Sequence, residues 1–112
     1  MRAMAQEQWQ VEVRKIIRAG FHGSSSKDLE MMTTVVLPFV PFIGLQVTTE
    51  LGADVLLEHL HWIESQNRMV SYVKDDMTFY NHVRSGGDEP SDSEVLAMFN
   101  ENYEPHGWEM VT

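Results

Sequence analysis

The chain has 112 residues, no cysteine and a net charge of −9. This length suits one domain with a single core and is too short for two, and a hydrophobic fraction of 43% argues against disorder. The absence of cysteine excludes disulfides, thiolate metal sites and thiol nucleophiles, and is typical of a reducing compartment. The first residues also lack the apolar core of a signal peptide. We therefore expect residues 1–112 to form a single α+β domain in the cytoplasm.

The acidic residues are concentrated towards the C-terminus. Residues 1–30 carry five basic and four acidic side chains, residues 31–74 carry two and four, and residues 75–112 carry one and nine. Such a surface repels nucleic-acid phosphates and attracts basic proteins, so we expect a protein partner and no direct nucleic-acid contact. A solvated face that keeps the protein soluble is the alternative explanation. The candidate interaction residues are Asp88, Glu89, Asp92, Glu94, Glu101 and Glu104.

Residues 5–19 show the periodicity of an amphipathic helix. Four apolar residues fall at positions i, i+4, i+7 and i+8, and charged residues cover most of the remaining surface. These apolar residues are Trp9, Val13, Ile16 and Ile17. Gly20 would end the helix, and residues 21–26 would form a Ser- and Gly-rich connection. The pattern predicts an N-terminal helix.

The run Met31–Thr49 contains no charged residue. Two prolines and several polar residues leave too little continuous apolar surface for a membrane span, and we expect no membrane association. The β-branched composition predicts a first strand over Thr33–Leu37, which Pro38 ends. Alternating apolar and polar residues from Phe42 onward predict a second strand, with a possible bulge at Gly44.

The stretch Val55–Glu64 fits two structures. As a helix it has a continuous apolar stripe, and as a strand it places His59 and His61 on one side and Leu60 on the other. Periodicity favours the helix. The short connections, including a turn at Gly52, favour an antiparallel meander that continues into a strand at residues 69–73. We favour the meander.

The C-terminal part of the chain predicts a second helix. Residues 77–83 are compatible with a short turn or a strand, and residues 85–90 form an acidic loop. Ser91 and Glu94 have the spacing of a capping box, so a helix begins there. Pro105 with Gly107 would end it, and residues 108–111 would form a terminal strand or a packed tail. The predicted fold is a small antiparallel β-meander of about four strands, flanked by an N-terminal and a C-terminal helix.

His59 and His61 are the candidate metal ligands. Two residues at i and i+2 of a strand project to one face, where their imidazoles could bind a metal together with Asp75 or Asp76. The pair lacks a third ligand at a recognised spacing, and in a helix the two side chains would diverge. A metal-binding module or metal-dependent hydrolase is therefore an alternative hypothesis.

Motifs of enzymes and cofactor sites are absent from the sequence. There is no nucleophile elbow, no phosphate-binding loop and no dinucleotide fingerprint, so we predict no cofactor and no catalytic residue. The acidity favours a non-enzymatic protein that binds another, basic protein. A sharper form of this hypothesis is a nucleic-acid mimic, such as a small inhibitor encoded by a phage or mobile element. A structural homodimer formed by strand addition is a further alternative.

Overall fold

The computed structural model describes residues 8–20, 28–48 and 54–111. Within these ranges the chain forms seven strands, two α-helices and two short 3₁₀ helices. The strands are β1 (Trp9–Ile17), β2 (Leu29–Leu37), β3 (Gln46–Thr48), β4 (Asp54–Leu56), β5 (His59–Ile63), β6 (Arg68–Tyr72) and β7 (Glu109–Met110). The helices are α1 (Thr78–Arg84) and α2 (Asp92–Asn102), and the 3₁₀ helices are Glu64–Gln66 and Glu104–His106. The connection predicted at residues 21–26 and the turn predicted at Gly52 lie outside the described residues.

Five strands form one mixed sheet in the order β5-β6-β1-β2-β7. The central strand β1 is antiparallel to β2 along its whole length and parallel to β6 from Val11 to Arg14. β3 and β4 pair antiparallel in a separate two-stranded sheet. The α+β class is confirmed, whereas the prediction of a purely antiparallel meander is wrong. A parallel pair needs a long crossover, and short-range patterns do not reveal a strand partner so distant in sequence.

Strand β1 occupies the segment predicted as the N-terminal helix, so that prediction is wrong. Val11, Val13 and Ile17 are fully buried, whereas the side chains between them, Glu12 and Arg14, form ion pairs. Alternation of this kind is the period of a strand, and the β-branched valines and isoleucines favour an extended backbone. Trp9, Val13 and Ile17 satisfy both the i, i+4 spacing of a helix and the alternation of a strand. Pairing with β2 and β6 on the two edges of β1 decides in favour of the strand.

The central stretch that fitted two structures is extended. β4 and β5 together confirm the strand interpretation, and a 3₁₀ helix begins at Glu64. β6 confirms the strand predicted next. β2 begins at Leu29, earlier than the predicted Thr33, and β3 begins at Gln46, later than the predicted Phe42. Gly44 lies in a turn before β3 with φ of 93°, a conformation that glycine adopts without a steric penalty.

The capping box at the start of α2 is confirmed. The Ser91 hydroxyl accepts a hydrogen bond from the Glu94 N–H at 3.2 Å, and the Glu94 carboxylate accepts one from the Ser91 N–H at 3.3 Å. α2 ends at Asn102, before Pro105. The undecided residues 77–83 fall mainly in α1, and the terminal strand is β7.

The hydrophobic core lies on one face of the sheet. Val95 and Phe99 of α2 are buried there, together with Trp108 and with Leu57, which follows β4. The strands contribute Val11, Val13, Ile17, Met31, Val35 and Leu37. Because side chains alternate along a strand, the even-numbered residues of β1 point to the opposite face, Glu12 and Arg14 among them, whereas Lys15 shares the face of Val13 and Ile17. The fold therefore places α2 and the C-terminal residues on the core side of the sheet.

Candidate interaction surface

The segment of residues 85–111 carries the negative surface of the chain. It contains seven aspartate and glutamate residues and no lysine or arginine. All seven acidic residues are exposed. We call residues 85–111 the acidic segment. Because it has no internal positive charge, its field extends into solvent.

On the sheet, by contrast, opposite charges are paired. Glu12 is 8% exposed and accepts hydrogen bonds from Arg14 Nε at 2.8 Å and from Arg68 Nη1 at 2.6 Å. Arg14 also donates to Glu30 at 3.1 Å. Two guanidinium groups compensate the desolvation of a carboxylate that would otherwise be costly to bury. The sheet therefore contributes little net charge at this position.

A second network connects the end of β1 to two distant aspartates. Arg18 donates to Asp28 at 3.0 Å and to Asp75 at 2.7 Å, and Asp28 also accepts the backbone N–H groups of Ala19 and Gly20. Burial acts to raise the pKa of Asp28, but these hydrogen bonds outweigh it and hold the pKa below the ordinary aspartate value. The network holds Asp28, at the start of β2, against the end of β1.

Two of the remaining basic residues contact aromatic rings. Lys15 lies 5.3 Å from the centroid of the Tyr103 ring, and Arg84 lies 5.8 Å from that of Tyr80. With Lys74 as the exception, each lysine and arginine within the described ranges thus contacts a carboxylate or a ring of the same chain. Negative charge is left in excess on the acidic segment.

Asp76 joins the acidic segment to the sheet. Its backbone N–H donates to Ile16 at 2.8 Å, while its carboxylate accepts hydrogen bonds from the Tyr103 hydroxyl and from the Thr78 N–H. Burial acts to raise the pKa of Asp76, but the hydrogen bonds from Thr78 and Tyr103 outweigh it, so the pKa is lowered. Burial, followed by the contact with Asp76, raises the pKa of Tyr103. Tyr103 is therefore a neutral donor at physiological pH.

The six predicted interaction residues all lie in the acidic segment, but not on one flat face. Asp88 and Glu89 precede α2, and Glu104 follows it. Within α2, Glu94 and Glu101 are seven residues apart and lie on the same side, whereas Asp92 lies on the other side. Glu94 also serves the capping box. The acidic groups thus surround the exposed part of α2.

A shallow cleft lies beside the terminal strand. Its volume is ≈ 420 Å³, and Phe99, Trp108 and Met110 line it together with Glu104 and Glu109. Apolar walls with two carboxylates suit the aliphatic stem and the charged head of a lysine or arginine side chain. The cleft brings two carboxylates of the acidic segment beside apolar side chains.

The candidate metal ligands His59 and His61 are exposed on β5 and lie on the same side of that strand. His61 packs edge-on against Tyr72 with ring centroids 5.7 Å apart. The carboxylates expected to join them have other partners, Asp75 with Arg18 and Asp76 with Tyr103, although Asp75 lines a cleft together with His59. Over residues 8–20, 28–48 and 54–111, no group of three or more metal-ligating side chains is present. The metal hypothesis remains untested, and a zinc titration would test it.

Sequence reasoning missed two long-range contacts and one residue of the cleft. Glu12 of β1 pairs with Arg68 of β6, and no local sequence pattern predicts this ion pair. The Asp76 contact with Tyr103 likewise joins residues 27 positions apart. Glu109 of the cleft was not among the predicted interaction residues, although its position three residues after His106 and next to Trp108 placed it in the same acidic segment.

Comparisons of the chain with protein-family models, with curated proteins and with solved structures found no match in any of the three. In the described part of the chain, neither helix is long and apolar enough to cross a membrane. The fold therefore defines the protein as an α+β protein with a five-stranded mixed sheet, and its function is argued from its surface.

Proposed function

We propose that the protein is a non-enzymatic binding module whose acidic segment docks on a basic surface of a partner protein. The observation that carries this proposal is the segregation of charge. The arginines of the sheet are engaged by Glu12, Glu30, Asp28 and Asp75, whereas the carboxylates of the acidic segment are exposed and the segment has no lysine or arginine. A field of this kind increases the rate of encounter with a basic surface and selects against acidic ones.

The cleft beside β7 is the place where we expect one basic side chain of the partner to bind. A lysine or arginine side chain of the partner would place its methylene groups against Trp108 and Met110 and its charge beside Glu104 and Glu109. The surrounding carboxylates of α2 would attract further basic groups with less geometric specificity. In the sharper form of the proposal, the acidic segment takes the place of a nucleic-acid backbone on a nucleic-acid-binding protein, as a small phage- or mobile-element-encoded inhibitor would.

The experiment measures binding of the protein to fluorescently labelled poly-L-lysine at increasing sodium chloride concentration. We expect the double variant Glu101→Gln/Glu104→Gln to bind about fivefold more weakly at low salt, because it removes two exposed carboxylates near the contact. The matched control Glu58→Gln/Glu64→Gln removes the same charge from the region of β5 and should bind almost as the unaltered protein does.

An equal loss of affinity in both double variants would contradict the proposal, since it would mean that only net charge matters. The mimic form has its own test, in which the protein competes with a labelled DNA duplex for protamine. Displacement of the duplex, with a weaker effect of the Glu101→Gln/Glu104→Gln variant, is the expected result. Binding to poly-L-lysine without displacement would overturn the mimic form alone.

A further inference from the structure

An apolar patch lies at the end of β2 and along the β3–β4 sheet. This patch consists of six large hydrophobic residues that are between 44% and 65% exposed. They are Val36, Phe39, Val40, Phe42, Ile43 and Leu56. The rings of Phe39 and Phe42 are 6.3 Å apart, and the Gly44 N–H donates to Leu57 at 2.7 Å, which brings Ile43 near Leu56. We call these six residues the apolar patch.

The outer edge of β2 adjoins this patch and is largely open. β7 covers Met31 and Met32, and Gly107 lies beside Thr33, whose hydroxyl donates to the Gly107 carbonyl at 3.0 Å, so the edge is open from Thr34 onward. The Val111 N–H donates to the Glu30 carbonyl on this side, and backbone groups alternate along a strand, so Thr34 and Val36 direct their N–H and C=O groups to the same side. Within the described residues no strand pairs with them there. An uncharged open edge of this kind favours pairing with another strand.

The size of the apolar patch suits an interface between two copies. Six side chains of this size, each about half exposed, present roughly 500–600 Å² of apolar surface, so two copies would bury about 1,100 Å². That area just exceeds the ~1,000 Å² expected of a specific interface. It is also at the upper end of the apolar patches that soluble monomers expose.

The open edge of β2 and the area of the apolar patch fit a second copy as the occupant, and the charge distribution places the contact between copies here. Two chains of charge −9 repel each other over most of their surface, and the run from Met31 to Thr49 has no charged residue. Antiparallel pairing of β2 with β2 of a second copy, related by a two-fold axis, would also give hydrogen-bond partners to the backbone groups of Thr34 and Val36 in both chains. We propose that the protein forms a homodimer through the outer edge of β2 and the apolar patch. This inference is independent of the acidic segment.

The test measures the mass of the protein in solution by sedimentation equilibrium. We expect a concentration-dependent rise from 12.9 kDa towards twice that value. Ile43→Glu and Val36→Lys should each raise the dimer dissociation constant by at least about tenfold, because each places a charge in the interface. Both positions are more than half exposed in the monomer, and circular dichroism should show that both variants fold.

The control variant is Leu96→Glu, which alters an exposed apolar residue on α2 and should leave the dimer unchanged. A mass of 12.9 kDa at every concentration would overturn the proposal. So would a dimer that Ile43→Glu and Val36→Lys leave intact. Co-sedimentation of a monomeric protein with phosphatidylcholine vesicles, lost in Ile43→Glu, would also overturn it and would assign the patch to a lipid surface.

Discussion

Asp76 forms hydrogen bonds through both its backbone and its side chain. Its N–H and C=O groups pair with Ile16 and Arg18, and its carboxylate holds the Tyr103 hydroxyl from the end of the acidic segment. A hydrogen bond to a carboxylate is stronger than one between neutral groups, so this one weakens when the carboxylate is protonated. The contribution of this contact to holding the acidic segment against β1 therefore depends on the protonation of Asp76.

Replacing Tyr103 by phenylalanine tests this attachment at the residue scale. Because the pKa of Asp76 is lowered in the folded protein, its contribution to stability is present above the unfolded pKa and lost as pH falls through the folded pKa. We expect Tyr103→Phe to lower the free energy of unfolding by about 1–2 kcal/mol at neutral pH. The difference from the unaltered protein should shrink below about pH 4.

Urea unfolding at a series of pH values measures this difference. The control is Tyr72→Phe, which removes an exposed hydroxyl from the other face of the sheet and should have little effect at any pH. A difference for Tyr103→Phe that stays constant down to the lowest pH would show that the hydroxyl stabilises the fold by packing and not through the ionised carboxylate.

At the scale of elements, α2 carries both the carboxylates proposed to bind a partner and the residues that pack in the core. Val95 and Phe99 fix it to the core, while the carboxylates around them face solvent. Its first turn is held by the reciprocal hydrogen bonds of Ser91 and Glu94, and the acidic residues there suit the positive end of the helix dipole. The position of the acidic segment thus depends on the start of this helix.

Ser91→Ala should lower the free energy of unfolding by about 1 kcal/mol, because it leaves the Glu94 N–H without its side-chain acceptor. Ser93→Ala is the matched control. Ser93 is exposed in the same turn but is outside the capping box, so its change should stay within about 0.5 kcal/mol. Chemical denaturation measures both. Equal effects at the two positions would show that the capping box does not stabilise the folded protein.

Local signals account for the elements that the sequence predicts well. The capping box at Ser91 and the β-branched run in β2 act over a few residues, so they can be recognised without knowing the fold. β1 is different, because its residues fit both a helix and a strand. The choice is made by β2 and β6 on its two edges, and β6 lies more than 40 residues away.

Only part of the candidate interaction surface could be predicted from local signals in the sequence. The acidity of residues 85–111 is a property of composition, and the sequence reveals it directly. Whether that charge is neutralised is a property of the folded chain. Arg14 and Arg18 find their carboxylates across the sheet, and only the fold shows that Glu104 and Glu109 share a cleft with Trp108.

The whole molecule has two proposed surfaces of opposite character, one acidic and one uncharged. Salt should therefore act on them in opposite directions. It screens the attraction of the acidic segment for a basic partner, and it also screens the repulsion between two copies of charge −9. Raising ionic strength should weaken binding to poly-L-lysine and strengthen self-association.

Sedimentation equilibrium at low and high sodium chloride, beside the poly-L-lysine titration, measures both trends. The Leu96→Glu variant serves as the control for self-association, since its dimer should respond to salt as that of the unaltered protein does. Self-association that weakens with added salt would indicate that ion pairs, and not the apolar patch, hold the copies together.

The parallel pairing of β1 with β6 also bears on the order in which the chain folds. β1 and β2 are close in sequence, so they can pair early, whereas β6 joins β1 only after a much longer loop has closed. Until β6 has joined, both edges of the β1–β2 pair are open, and most of β2 belongs to the run of residues that has no charge. We expect this partly folded species to be the one most prone to aggregate during synthesis or refolding.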